Sequence, residues 1–283
     1  MTTPAGRLPT FCVIGAMKAG TTSLAAWLDE HPDVHIAPQK ETRFFNTPYN
    51  YWLGVDWFRE QFAGAGDAKA VGDATPLMQN PLAVRHMADL LPDARLVAIL
   101  RNPVDRAYSH YQHIRSRGQE RRSFRDALAA ERDDEMGARG DPPRDYLHRG
   151  RYLRQLRDLT ERYDRSQLLV VLFEDLRDRP HDTVGEVLRF IGVDETVPLS
   201  GVGAAHDPRP AVRSARLYAA LNGRVGRRLP AQARRLVERV NHTDRQGYAP
   251  LDPAHRAELA AEFAPDVREL EDWLGRDLSV WSH

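Results

Sequence analysis

The chain has 283 residues, 42% of them apolar and 28% charged, which suits one large α/β domain or two small ones. Its 40 basic and 40 acidic residues cancel, so bulk charge gives no reason to expect a nucleic-acid partner. Cys12 is the only cysteine, which excludes an internal disulfide and a multi-cysteine metal site, and no apolar run approaches the roughly 18 residues of a membrane span. The first ten residues carry no basic-then-apolar leader, and a cytoplasmic protein is expected.

Residues 11–14 form an apolar run of strand length, and 21–28 begin a helix with an apolar face at Leu24, Trp27 and Leu28. Between them lie Gly15 and Gly20. A glycine-flanked turn feeding a helix start presents unpaired backbone N–H groups and the positive end of the helix dipole, which together suit a phosphate. Laid over residues 15–22, the nucleotide-triphosphate pattern GxxxxGK[ST] fits both glycines and Thr22 but meets Thr21 where its lysine belongs. The lysine stands inside the loop instead, as Lys18. The chain has only three lysines, Lys18, Lys40 and Lys69, against 37 arginines, so a compact ammonium at this loop is a pointed choice. The plain alternative is a turn that merely joins strand to helix.

Pro32 ends the first helix, because the residue before a proline is pushed out of the helical region. In 40–46, Glu41 stands between Lys40 and Arg43 and beside Phe44 and Phe45. Neighbouring cations and desolvation tune such a carboxylate in opposite directions, which suits a general base, while a solvated surface ion pair is the ordinary reading. Six aromatics fall in 49–62, where helix-like spacing of Trp57, Phe58 and Phe62 favours core packing and the others could wall an acceptor pocket. Residues 68–73 read as a short strand, 80–91 as an amphipathic helix and 95–100 as a buried strand. Strand and helix alternate, which predicts a parallel sheet.

Arg101 follows the strand 95–100, at the end where ligands bind in open α/β sheets, and Pro103 suits a first helical turn. A nucleoside triphosphatase commonly puts a metal-binding aspartate at a strand end, whereas this end carries Arg101, which suits a second phosphate and no metal. Ser109, eight residues on, could turn toward the anion that Arg101 binds in a fork. A helix-capping Arg and a surface Ser are the plain alternative.

On these residues the chain resembles sulfotransferases that use 3′-phosphoadenosine-5′-phosphosulfate (PAPS). Lys18, Ala19, Gly20, Thr21, Thr22 and Ser23 resemble the family's 5′-phosphosulfate loop, and Arg101 through Ser109 its 3′-phosphate motif. Within the family the chain is most similar to the heparan sulfate and Golgi-type branch, through residues 31–34, 41–45 and 54–57. The resemblance implies that Glu41 is the catalytic base and that Arg245, in an imperfect match to a late Lys-Gly-Arg loop, helps hold the 3′-phosphate. This chain departs from the branch in having Ala74 where a lysine stands and in lacking the cysteines of a late disulfide loop. The ending at 275–281 is also similar, so the likeness spans nearly the whole chain.

The remainder supplies architecture. Residues 123–135 and 149–163 read as helices around a Gly- and Pro-rich loop at 137–143, 167–173 as the most apolar and hence central strand, and 180–191 as a helix. Residues 209–245 hold ten Arg against Glu238 and Asp244, a net +8 that fits solvated helix faces or attraction of an anionic ligand. The expected fold is α/β, with a P-loop-like open parallel sheet flanked by helices, forming a single domain over 1–283. Its core covers about 8–195 and a helical C-terminal cap with loops about 196–283. The expected reaction moves a sulfuryl group from PAPS to a hydroxyl, or less readily an amine, of a small-molecule or carbohydrate acceptor and releases adenosine 3′,5′-bisphosphate. A P-loop kinase and a non-catalytic nucleotide-binding module are the rivals, and His110 and His113 are alternative bases.

Overall fold

The computed structural model describes residues 6–133, 145–204 and 248–282. The strand β1 (Phe11–Gly15), buried at every position, leads into α1 (Thr21–Asp29) and then β2 (Val34–Ile36). Two short helices, α2 (Pro48–Trp52) and α3 (Gly54–Glu60), precede β3 (Ala70–Asp73). Next come α4 (Pro81–Leu90), β4 (Arg95–Leu100), α5 (Pro103–Ser116), α6 (Phe124–Asp133) and α7 (Tyr152–Thr160). The strand β5 (Leu168–Leu172), α8 (Phe173–Asp178), α9 (Pro180–Ile191) and α10 (Pro253–Leu274) complete the described elements.

Local chemistry sets several of these boundaries. Asn80 caps α4 by accepting from Leu82 N at 3.1 Å and Ala83 N at 3.2 Å, and Pro81 takes the first helical position, where its missing N–H costs nothing. Pro180 opens α9 in the same way, and Gly192, at φ 88°, stops it. The helix expected over 149–163 is shorter than its sequence pattern. A 3-10 turn occupies His148–Gly150 and α7 begins only at Tyr152, because Arg151 between them stands at φ −84° and ψ 74°, outside the helical region.

The five strands are all parallel and lie in the order β2-β3-β1-β4-β5. From β1 the chain builds β2 and β3 on one side, then crosses to build β4 and β5 on the other. The carboxyl end of β1 is therefore the switch point of the sheet, with the ends of β3 and β4 on either side of it. The expectation that residues 167–173 form the central strand is corrected: β5 is an edge strand. Helices α8 and α9 pack on it, and Leu168, Val171 and Leu172 are buried while Leu169 and Val170 remain half-buried.

The chain divides into two compact units. The first comprises Met1–Asn102, Tyr152–Asp207 and Arg268–His283 and holds the sheet. The second comprises Pro103–Arg151 and Pro208–Val267, with a core in which Tyr111, Phe124, Leu128, Leu259 and Phe263 meet. The loop at 137–143, the arginine-rich run and Arg245 lie outside the described residues. Among the described residues no helix is long and apolar enough to cross a membrane.

Candidate functional site

Three segments leave the carboxyl ends of the three central strands. The loop after β1 turns through Lys18 at φ 76° and Gly20 at φ 92°. At Gly20 an added Cβ would stand 3.1 Å from the Phe173 ring in addition to adopting a left-handed backbone, so glycine is needed there for two reasons. Helix α1 then starts with no side-chain cap and no carboxylate in its first turn. The start of the helix and the positive end of its dipole thus suit an anion. Ala19 and Thr21 are buried under the turn, while Lys18, Thr22 and Ser23 are half-buried.

Arg101 follows β4. Its guanidinium donates to Lys18 O at 3.1 Å and lies 4.6 Å from the centre of the Phe173 ring, so it braces the loop from the neighbouring strand. Its own carbonyl accepts from Tyr152 Oη at 2.8 Å. Asn102 is fixed beside it, its amide donating to Glu174 Oε1 at 3.1 Å and its side chain to Trp281 O at 2.9 Å. In the second unit Ser109 is buried on α5, and so is His110, whose ring centre is 5.0 Å from that of Tyr146.

A cleft of about 510 Å³ is lined by Thr22 of the loop, Asn50 of α2 and residues 39–43. Glu41 sits in it, with 28% of its side chain exposed. Arg43 Nη2 lies 3.0 Å from Glu41 Oε2, and Lys40 Nζ lies 3.2 Å from Oε1 and 2.9 Å from Thr22 Oγ1. Both cations have left-handed backbones, at φ 59° for Lys40 and 54° for Arg43, which for residues with a Cβ must be held by surrounding bonds.

Those bonds run to the end of β3. Asp73 Oδ1 accepts from Thr42 N at 3.2 Å and from Thr75 Oγ1 at 3.0 Å, and Oδ2 accepts from Thr42 Oγ1 at 3.0 Å. Thr75 Oγ1 in turn accepts from Arg43 N at 3.1 Å, and Ala74 N donates to Lys40 O at 3.1 Å. Phe44 stacks on Phe58 with ring centres 4.3 Å apart, both rings being buried. The aromatic cluster thus splits: Phe58 and Phe62 belong to the core, whereas Tyr49 and Trp52 on α2 point outward at 72% and 90% exposure.

The structure therefore brings Lys18 to Arg101, and Thr22 to Glu41 by way of Lys40. Lys40 and Asp73 were missed as site residues at the level of sequence. The scarcity of lysine and an acid closing an otherwise apolar strand were the available signals.

Burial pushes Asp73 from 3.8 up to about 6, against the hydrogen bonds from Thr42 and Thr75 that favour its charged form, and the charge of Glu41 adds to the rise. Burial, aided by the charge of Asp73, likewise pushes the Cys12 thiol well up, which makes it an inert core residue. Folded Asp73 holds its proton more tightly than the unfolded chain does. Its stabilising contribution is complete below the unfolded pKa near 3.8 and is lost as pH rises through about 6. Urea unfolding between pH 4 and pH 7 should show this as a fall in stability on the order of 2–3 kcal/mol that is absent from Asp73→Asn. Parallel slopes for the two proteins would show that Asp73 does not titrate there.

A sulfotransferase-domain family model matches residues 8–200. The chain is 32% identical over 198 residues to a human bifunctional heparan sulfate N-deacetylase/N-sulfotransferase 2, covering 66% of this chain and 22% of that protein. To the human type 1 protein of the same description it is 33% identical over 202 residues, covering 68% and 23%. It thus spans less than a quarter of the length of the curated relatives it matches. The crystal structure of a sulfotransferase from Alicyclobacillus acidocaldarius superposes with a TM-score of 0.74 at 29% identity, covering 98% of this chain and all of that one.

Proposed function

As this chain belongs to the sulfotransferase-domain family and is a transferase of sulfur-containing groups, we propose that its donor is PAPS and its acceptor a hydroxyl, or less readily an amine, of a small molecule or carbohydrate. One observation carries the reading: a hydroxyl of the anion loop, Thr22, and the carboxylate Glu41 line the same cleft.

The loop fits the 5′-phosphosulfate of such a donor. The uncapped amides of α1, Lys18, Gly20, Thr21, Thr22 and Ser23 supply donors and positive charge, and Ala19 closes the turn. For the 3′-phosphate the candidates are Arg101 and Ser109, with Arg245 as a further one. PAPS supplies an activated sulfuryl group on a phosphate leaving oxygen. Glu41 takes the acceptor proton as the acceptor oxygen or nitrogen bonds to sulfur. Lys18 and the helix-start amides meet the electron pair left on the phosphate oxygen when the old S–O bond breaks, a preorganised electrostatic contribution of the kind that dominates many enzymes. Geometry holds the reactants in line. No metal is assigned a role. The single, buried Cys12 suits action in a reducing compartment such as the cytoplasm.

Incubation with PAPS and a panel of sugars, phenols and amines, read by mass spectrometry, should give an acceptor with one added sulfate and adenosine 3′,5′-bisphosphate in equal amount. Lys18→Ala should lower turnover at least about tenfold through loss of a charge-assisted contact of about 1.5 kcal/mol. Undiminished turnover in that variant would remove Lys18 from the chemistry, and the absence of any sulfated product would overturn the reading as a whole.

A further inference from the structure

Lys40 is one of only three lysines in a chain of 37 arginines, and it stands in a left-handed turn at φ 59°. That turn is clamped on both sides. Lys40 N donates to Ala37 O at 2.6 Å, and Lys40 O accepts from Ala74 N at 3.1 Å. The clamp delivers Nζ to two groups at once, Thr22 Oγ1 at 2.9 Å and Glu41 Oε1 at 3.2 Å, with 21% of the side chain exposed. An exposed lysine has no need of so costly a backbone; a lysine that must reach two fixed points does.

The chemistry of the two contacts is complementary. A threonine hydroxyl that accepts from an ammonium keeps its own proton to donate, so Lys40 turns the Thr22 O–H toward other acceptors. On the other side, one ammonium proton and the Arg43 guanidinium each engage a different oxygen of Glu41, at 3.2 Å and 3.0 Å. Oε2 accepts from both Arg43 Nε at 3.3 Å and Nη2 at 3.0 Å, so Oε1, which Lys40 engages, is the oxygen that retains a lone pair for an acceptor proton. A compact ammonium with three separate donors can bridge in this way, whereas a planar guanidinium fork favours one partner.

We propose that Lys40 is a positioning residue that fixes the base Glu41 against the donor loop through Thr22, an inference that rests on the sulfuryl-transfer reading. Lys40 acts through Glu41, and its worth disappears when the base is gone.

A double-mutant cycle on the full chain tests this, with single-turnover sulfate transfer as the rate and binding of adenosine 3′,5′-bisphosphate as the control. Lys40→Asn is the first variant, because asparagine tolerates a left-handed backbone but is too short to bridge. Lys40→Met is the second, and thermal unfolding shows that the variants used are folded. In the wild-type background either change should slow transfer about tenfold or more, with nucleotide affinity changed less than about threefold. In the Glu41→Gln background the same change should cost less than about twofold. Equal losses in both backgrounds, an unchanged rate in the first, or a loss of nucleotide affinity that accounts for the slower rate would each overturn the proposal. If the wild-type chain transfers no sulfate to any acceptor, the transfer reading itself falls and this inference with it.

Discussion

Glu41→Gln should slow the chemical step by roughly a hundredfold or more, the usual worth of a positioned base, while binding of adenosine 3′,5′-bisphosphate stays within about twofold of wild type. The substitution keeps shape and hydrogen-bonding capacity and removes only the proton acceptor. The structure bears on this because Glu41 is engaged by both Lys40 and Arg43 yet still faces the cleft it shares with Thr22. A mere surface pair would yield the reverse pattern, a stability change of at most about 1 kcal/mol and a nearly unaltered rate. Rapid-mixing transfer measurements over a pH series, beside calorimetric binding of the bisphosphate, separate the two. Full activity of the Gln variant at every pH would transfer the role to another group, with His110 and His113 next to be replaced.

Arg101→Ala should weaken adenosine 3′,5′-bisphosphate by about thirtyfold or more, in keeping with loss of about 2 kcal/mol from a forked ionic contact to a phosphate. Adenosine 5′-phosphate, which has no 3′ group, should lose much less. It should still lose something, because Arg101 also donates to Lys18 O and packs on Phe173, so its removal loosens the loop proposed to hold the 5′ end. Ser109→Ala should show the same preference on a smaller scale, since a neutral hydroxyl contributes less than a charged fork. Calorimetric titration of both nucleotides into each variant is the measurement. Equal weakening of the two nucleotides by Arg101→Ala would assign this residue to bracing alone.

Much of the frame was legible because periodicity and punctuation agree along the chain. The strand at 95–100 and the helix at 180–191 lie where the sequence puts them, one being a continuous apolar run and the other bounded by Pro180 and Gly192. The place of β5 was not legible. Residues 167–173 read as central because apolarity is taken to report full burial, whereas this edge strand, with α8 and α9 packed on it, is buried at Leu168, Val171 and Leu172 and only half-buried at Leu169 and Val170. The loop with Lys18 stood out by its glycines, and Glu41 was singled out by its charged neighbours together with the family resemblance. The web from Asp73 to Thr42, Thr75 and Arg43 could not, because it joins residues some thirty positions apart through side-chain bonds that leave no periodic trace. Lys40 escaped for a related reason: its left-handed backbone, and hence its reach to Thr22, is imposed by Ala37 and Ala74 and is not written in the identity of the lysine.

Helix α2 has a bearing on how such a chain can change. It contributes Asn50 to the cleft, yet none of its five residues is buried, and Tyr49 and Trp52 are largely exposed. Substitutions on a face like that typically alter stability by no more than about 0.5 kcal/mol. The anion loop has no such freedom, since Gly20 is confined both by its backbone and by Phe173. The cleft thus takes Asn50 from an unburied helix and Thr22 from just beyond a confined turn. Lineages descended from this chain, and libraries built from it in the laboratory, can try new residues at positions 49 and 52 with little risk to the scaffold, whereas a side chain at position 20 must carry a left-handed backbone and displace the Phe173 ring.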